Sequence, residues 1–369
     1  MISSFFKNKF LASKNNNNIS SIISYSNNMF NNSYGDYLES SEEGYKKNVI
    51  VYRCIHILSR AISSVDWFIK GINHENGEYY RILDSKFLNL LKNPNPRQSY
   101  ESFIEMCASY LLLNGNCYVS AIRDSLGNIK EIHALRPDRI RVIPGERSIP
   151  KGYEYIVGSH KEFFKIDENT GSSDILHIKL FNPTDDWYGL SPIKVAIKSI
   201  RQHNAITEQN ISFLRNGGRP SGALIYKSNL DSIRRESLRN DLKRAYEGGK
   251  NAGKILLLEG DFEWKEMGLS PKDLDFTSGK SLSSKEIALA FGIPPILIGE
   301  MSSATFSNYK EARYNFWEET VIPLLNMFVG EFSRWFSYLF DENISFEYDR
   351  ESISVFQNFK RSSINKQIN

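Results

Sequence analysis

Apolar residues recur at helical spacing through Val51, Cys54, Ile55, Leu58, Ile62 and Val65, and the run closes at Gly71 after Trp67 and Ile69. This predicts an amphipathic helix, with order beginning near Val49. Asn93-Pro94-Asn95-Pro96 then breaks the chain, and Ser99 with Ser102 opens a second apolar run over 103–113 that stops at Gly115. From Cys117 to about Lys179 the pattern shortens to strand-like pieces at 117–122, 139–143, 153–157, 163–166 and 175–180, with Gly127 as a turn. Helices followed by short alternating strands predict an α+β region with a mostly antiparallel sheet.

Ser191 before Pro192 is a good helix start, because the hydroxyl caps and proline lacks only an N–H that would go unused at the first helical position. Ile193, Ala196, Ile197, Ile200, Ile206, Phe213 and Leu214 mark one face of the helix that follows, which ends at Gly217-Gly218. It should run about 24 residues, or roughly 36 Å. Beyond it the pattern predicts a strand at 223–226, a charged helix at 232–246 and strands at 254–259 and 262–267, forming a small α/β module. Ser283 with Glu286 reads as a capping box opening a helix through Ile287, Leu289, Ala290 and Phe291, stopped by Gly292 and Pro294-Pro295. Residues 299–308 are small and polar enough for a mobile loop, and 309–339 form a last long helix. Trp317, Val321, Leu324, Leu325, Phe328, Phe332, Trp335 and Phe336 lie on its buried side, and Pro323 should kink it.

The chain has 369 residues, 41% hydrophobic and 24% charged, which excludes wholesale disorder and a disulfide scaffold. Residues 1–48 are rich in asparagine and serine and predict a flexible arm. The net charge of +3 is too small for a surface that grips nucleic acid everywhere. From Arg219 to Lys254, however, nine basic residues face four acidic ones. Cys54, Cys107 and Cys117 are each set among apolar or small residues, which predicts reduced, buried thiols and a cytosolic compartment. No apolar run reaches the roughly 20 residues of a membrane span, and Lys7 and Lys9 interrupt the start, so neither secretion nor membrane insertion is expected.

Reaction chemistry is not assembled. Residues 248–254 match Gly-x4-Gly-Lys, but Ile255 stands where a phosphate loop needs Ser or Thr, and a strand follows where a helix should. There is no Gly-x-Ser-x-Gly elbow. The six histidines, His56, His74, His133, His160, His177 and His203, never fall at metal-ligand spacing. Asp185-Asp186 could hold a divalent ion, but before Trp187 the pair reads better as a solvated turn. No catalytic residue, metal or cofactor is expected.

The order of motifs resembles that of phage portal proteins, the head-to-tail connectors of tailed double-stranded DNA bacteriophages, in the branch with the lambdoid-type capsid fold. The resemblance is carried by Asn93-Pro94-Asn95-Pro96, Leu113-Asn114-Gly115-Asn116-Cys117-Tyr118-Val119, Leu135-Arg136-Pro137-Asp138-Arg139, Tyr188-Gly189-Leu190-Ser191-Pro192-Ile193, and the stretches 213–224, 286–299 and 308–325. Each is weak alone. Seven in the family's order over about 300 residues are strong together.

The resemblance implies a portal-type subunit with an α/β wing at 49–190, a stem helix at 191–216, a small α/β clip at 217–269, a second stem helix and following turn at 270–298, a tunnel loop at 299–308, and a kinked C-terminal helix with a short crown and tail at 309–369. It also implies a closed ring, usually a dodecamer, at one capsid vertex of a virion assembled in the bacterial cytoplasm. DNA would pass the tunnel-loop residues Glu300, Met301, Ser302, Ser303, Ala304, Thr305, Phe306, Ser307 and Asn308, bound weakly and without sequence preference. By position, Arg234, Arg235, Arg239, Lys243, Arg244 and Lys250 of the clip would dock the terminase large subunit and later the head-tail adaptor; the plainer alternative is a solvated helix face. Major capsid and scaffold proteins complete the implied partners, with no membrane among them. Two other classes stay open on the residues alone: a nucleotide-binding enzyme around 248–254, and a scaffold or adaptor that forms no ring.

Overall fold

The structure is a computed structural model that describes residues 37–72, 79–145, 150–167, 169–215, 222–226, 231–246, 262–266, 275–300 and 306–357. In chain order the first elements are α1 (Val49–Ser63), β1 (Trp67–Ile72), β2 (Tyr79–Ile82), α2 (Lys86–Lys92), α3 (Tyr100–Asn114), β3 (Asn116–Arg123), β4 (Ile129–Leu135), β5 (Ile140–Ile143), β6 (Gly152–Val157), β7 (His160–Lys165) and β8 (Ile175–Lys179). Then come α4 (Pro192–Arg215), β9 (Gly222–Tyr226), α5 (Ser232–Tyr246), β10 (Phe262–Glu266), α6 (Phe276–Ala290), α7 (Phe306–Phe316), α8 (Ile322–Phe340) and β11 (Phe346–Tyr348). Chain contacts divide these into two compact units, one built from Met1–Ile197 with Ile287–Asn369 and the other from Lys198–Glu286.

In the larger unit Asn48 caps α1, its side-chain oxygen accepting the N–H groups of Ile50 and Val51 at 3.0 and 3.2 Å. The predicted stripe Val51, Cys54, Ile55, Leu58 and Ile62 is buried. The helix stops at Ser63, though, and Trp67 and Ile69 belong to β1. Trp67, Ile69 and Gly71 are buried while Phe68 and Lys70 between them are half-buried, a period of two that the helical count had absorbed. β1 pairs antiparallel with β2 on one side and with β11, from the far end of the chain, on the other. Order also starts earlier than Val49. A π-helical turn over Ser40–Lys46 buries Ser40 and Gly44, so residues 37–48 belong to the folded body; residues 1–36 lie outside the described residues.

The remaining strands of this unit form two further antiparallel sheets, β4-β3-β8 and β5-β6-β7. The expected antiparallel pairing holds, divided among separate three-stranded sheets. β4 was not foreseen, because Lys130, Glu131 and His133 dilute its apolar alternation. The core centres on α8. Phe332 is fully buried, with Trp67, Phe103, Phe328, Trp335 and Phe336 at ring-centroid distances of 5.6 to 6.4 Å. Burial of such rings, at about 25 cal/mol per Å² of apolar area, is the main favourable term here.

Near Pro323, where a kink is expected, the helix changes its hydrogen-bond step. Residues Trp317–Val321 make a π-helical turn, and the N–H of Ile322 reaches the carbonyl of Trp317, five residues back. Pro323, which has no N–H to donate, follows immediately in the first turn of α8, so the helix passes it with one backbone hydrogen bond fewer. The three cysteines are free and buried, and burial pushes the Cys54 thiol up to about 12.

In the smaller unit, β9 and β10 pair antiparallel from Phe262↔Tyr226 to Glu266↔Gly222. The strand expected at 254–259 and the glycine loop at 248–254 lie outside the described residues. The stretch of α4 from Lys198 onward meets α6: Ser199 Oγ donates to Glu286 Oε2 at 2.6 Å, and a Cβ on Gly279 would sit 3.4 Å from Ile206 Cδ1. The proposed capping box at Ser283 and Glu286 does not start α6, which already begins at Phe276. Ser283 and Ser284 lie inside the helix, donating back to the carbonyls of Gly279 and Lys280 at 2.8 and 3.0 Å.

Candidate functional site

Two of the sequence motifs meet in the larger unit, at the origin of α4. Gly115 ends α3 in the left-handed conformation, φ 83°, its N–H bonded to Leu111 O at 2.7 Å. Its carbonyl accepts the N–H of Leu180 at 2.8 Å and faces Gly189 so closely that any Cβ there would collide with it. Next to it, fully buried Asn116 binds three segments: its Oδ1 accepts from Gly189 N at 2.8 Å and from His177 Nε2 at 3.0 Å, and its Nδ2 donates to Asn114 Oδ1 at 2.8 Å. Tyr188 OH accepts the N–H of Val142 at 3.0 Å. Ser191 Oγ then accepts from Lys194 N at 3.1 Å, the predicted cap of α4. Loop 180–190 is tied further by Asp185 Oδ1, which takes the N–H groups of Trp187 and Tyr188 at 2.7 and 3.0 Å, and by Lys179 Nζ on Asp186 O. Asp185-Asp186 is therefore a hydrogen-bonded turn, as preferred.

His177 is the residue that motif reading passed over. It stacks on Tyr118 at 4.3 Å, and burial, assisted by the Lys179 charge, pushes its pKa down to about 3. Nothing in its own neighbourhood flags it, since its partner lies 61 residues away in sequence.

In the smaller unit, α5 is the charged helix predicted for the clip, with the same bounds. Asp231 opens it, Oδ1 accepting Arg234 N at 2.7 Å. Five basic residues stand against two acidic ones between Ser232 and Tyr246. Arg234, Arg235 and Arg239 are exposed, and so is Ile233 at 81%. Lys243 and Arg244 follow on the same helix; Lys250 lies outside the described residues. Arg235 and Arg239, four residues apart, share one side of it.

The expected loop at 299–308 is only partly a loop. Phe306, Ser307 and Asn308 form the first turn of α7, with Ser307 and Asn308 exposed, and Met301, Ser302, Ser303, Ala304 and Thr305 lie outside the described residues. Before them a 3-10 turn, Pro295–Ile298, ends at Gly299 with φ 101°, and Glu300 is half-buried. Among the described residues no three His, Cys, Asp or Glu side chains gather to hold a metal, and no helix is long and apolar enough to cross a membrane.

The family model for phage portal proteins matches residues 49–367. An uncharacterized protein of Rickettsia bellii is 40% identical over 316 residues, 85% of this chain and 80% of its own. The portal protein of Enterobacteria phage HK97 is 24% identical over 295 residues, 77% of this chain and 66% of that protein. Among solved structures, a chain from the neck of a native gene transfer agent particle, computed with C12 symmetry, superposes with a TM-score of 0.67 at 34% identity, covering 90% of this chain and 89% of that one.

The chain belongs to the phage portal protein family, a structural rather than catalytic class. Its role is that of a portal for DNA packaging, a head-tail connector at a capsid vertex, and its location is capsid-associated.

Proposed function

We propose that copies of this chain close into a ring, most simply of twelve, assembled in the bacterial cytoplasm at one vertex of the capsid alongside the capsid and scaffold proteins, and that double-stranded DNA passes through its centre. The observation that carries this reading is the match along nine-tenths of the chain to a neck subunit solved with twelvefold symmetry. The near-neutral charge supports it as well, because a channel that passes DNA must not hold it: each phosphate contact adds affinity and would act as a brake.

The exposed basic side of α5 supports a second part of the proposal, docking of the terminase large subunit during packaging and of the head-tail adaptor afterwards. The ring itself does no chemistry and needs no cofactor. Native mass measurement and negative-stain imaging of the purified chain test the proposal. Closed rings near twelve copies with an axial hole are expected; a protein that stays monomeric even with capsid and scaffold partners present overturns it.

A further inference from the structure

Between β6, β8, loop 167–173 and α8, all within the larger unit, lies a cavity of about 200 Å³. Its wall carries Tyr153, Thr170, Ser172, His177, Arg334 and Trp335. Hydrogen bonds hold it in shape with nothing inside. Trp335 Nε1 donates to Ser173 O at 2.9 Å, Ser173 Oγ accepts Ile175 N at 2.8 Å, and Asp167 Oδ1 accepts Asn169 N and Thr170 N at 2.7 and 3.3 Å. The loop therefore needs little ordering to present its hydroxyls.

Three polar groups of this wall are unused. Tyr153 is 7% exposed, yet its hydroxyl makes no hydrogen bond with the described residues, and the positive charge of Arg334 acts on it. A buried hydroxyl ordinarily finds a partner. His177 donates its Nε2–H to Asn116 Oδ1, which leaves Nδ1 as an acceptor without a partner among the described residues. Arg334 meets Glu331 through Nη2, and its remaining N–H groups are open.

We propose that this cavity is a binding site for a small free hydroxycarboxylic acid, its carboxylate taken by Arg334 and the Tyr153 hydroxyl and its own hydroxyl donated to His177 Nδ1. The balance of donors selects the chemistry. The guanidinium and the hydroxyls of Tyr153, Thr170 and Ser172 can all donate, whereas the neutral imidazole, among these side chains, can only accept. An ionised carboxylate answers the donors, and one hydroxyl answers the imidazole. A cation would be repelled by Arg334, and a doubly charged anion by the Glu331 carboxylate on the same guanidinium. The volume equals that of roughly six waters at about 30 Å³ each, room for a molecule of lactate's size and too little for a nucleotide.

L-lactate and the full chain test this, read by saturation-transfer NMR on the ligand. Lactate should receive saturation. Acetate, which lacks the hydroxyl, should bind about tenfold more weakly, and propane-1,2-diol, which lacks the carboxylate, not measurably. Tyr153→Phe keeps the ring and Arg334→Gln alters an exposed position, so each should weaken lactate about tenfold with circular dichroism unchanged. No transfer to lactate, transfer that survives both substitutions, or acetate that binds as well as lactate overturns the assignment and leaves the ring reading untouched. A capped glutamate peptide that displaces lactate and binds more tightly overturns the free acid as occupant, in favour of a protein side chain.

Discussion

His177 lies against the ring of Tyr118 with the planes inclined by 21°, and Tyr153 meets it edge-on at 5.8 Å. Its Nε2 must carry the proton, because Asn116 Oδ1 can only accept. In the fold its pKa falls to about 3, whereas an unfolded chain takes up that proton below about 6.5. The sign follows directly: the contribution is whole above pH 6.5 and is lost as pH drops from there toward 3, with a slope of up to about 1.4 kcal/mol per pH unit. His177→Gln keeps a donor toward Asn116 and removes the titration. Urea midpoints at pH 7 and pH 5 should therefore differ less in the variant than in the parent. Gly189 is the other residue on which the junction depends. Gly189→Ala must push the Gly115 carbonyl aside, and a loss of about 3 kcal/mol in denaturant unfolding is expected.

At the scale of elements, α5 offers the clearest experiment. Reversing Arg234 and Arg235 together to glutamate should weaken terminase binding strongly at low salt and little at high salt, while the fold is unaffected, because both side chains are exposed. Equal binding at low salt would assign docking to another surface. The elements most legible in the sequence were those with a strong start and stop. α4 has its Ser191 cap, and α3 has Ser99 in front and Gly115 behind. Those that were missed lack such marks or carry misleading ones. β1 follows α1 after only three residues, with apolar spacing that also satisfies a helix. α6 begins in a small, polar stretch whose serines turn inward to the helix's own carbonyls, so Ser283 resembles a cap without being one. For the candidate site, the individual motifs were readable; that Asn116, His177 and Gly189 converge was not, since the contact is made only when β3, β8 and loop 180–190 come together.

If residues 299–308 reach the channel, deletion of 301–305, which spares Phe306 and the first turn of α7, should leave ring formation intact and lower the amount of DNA packaged and retained. In vitro packaging followed by nuclease protection would measure this. Loss of rings instead would make the segment part of the contact between copies. The positive charge of this chain of net +3 is concentrated in sequence between Arg219 and Lys254, where nine basic residues stand against four acidic ones.

The π-helical turn at Trp317–Val321 has a consequence for how this rod can evolve. A π turn holds one residue more than the α turn it replaces, so the rod from Phe306 to Phe340 contains a built-in spare. Removing any single residue further along, between Phe328 and Phe336, would swing the rings after it by about 100° out of the core. The same deletion within 317–321 simply closes the wide turn to an ordinary one, leaving the residues on either side in phase with what they already touch. Among divergent relatives, single-residue length changes in this helix should therefore collect at that turn, the one place along it where the genetic count can change while the packing does not.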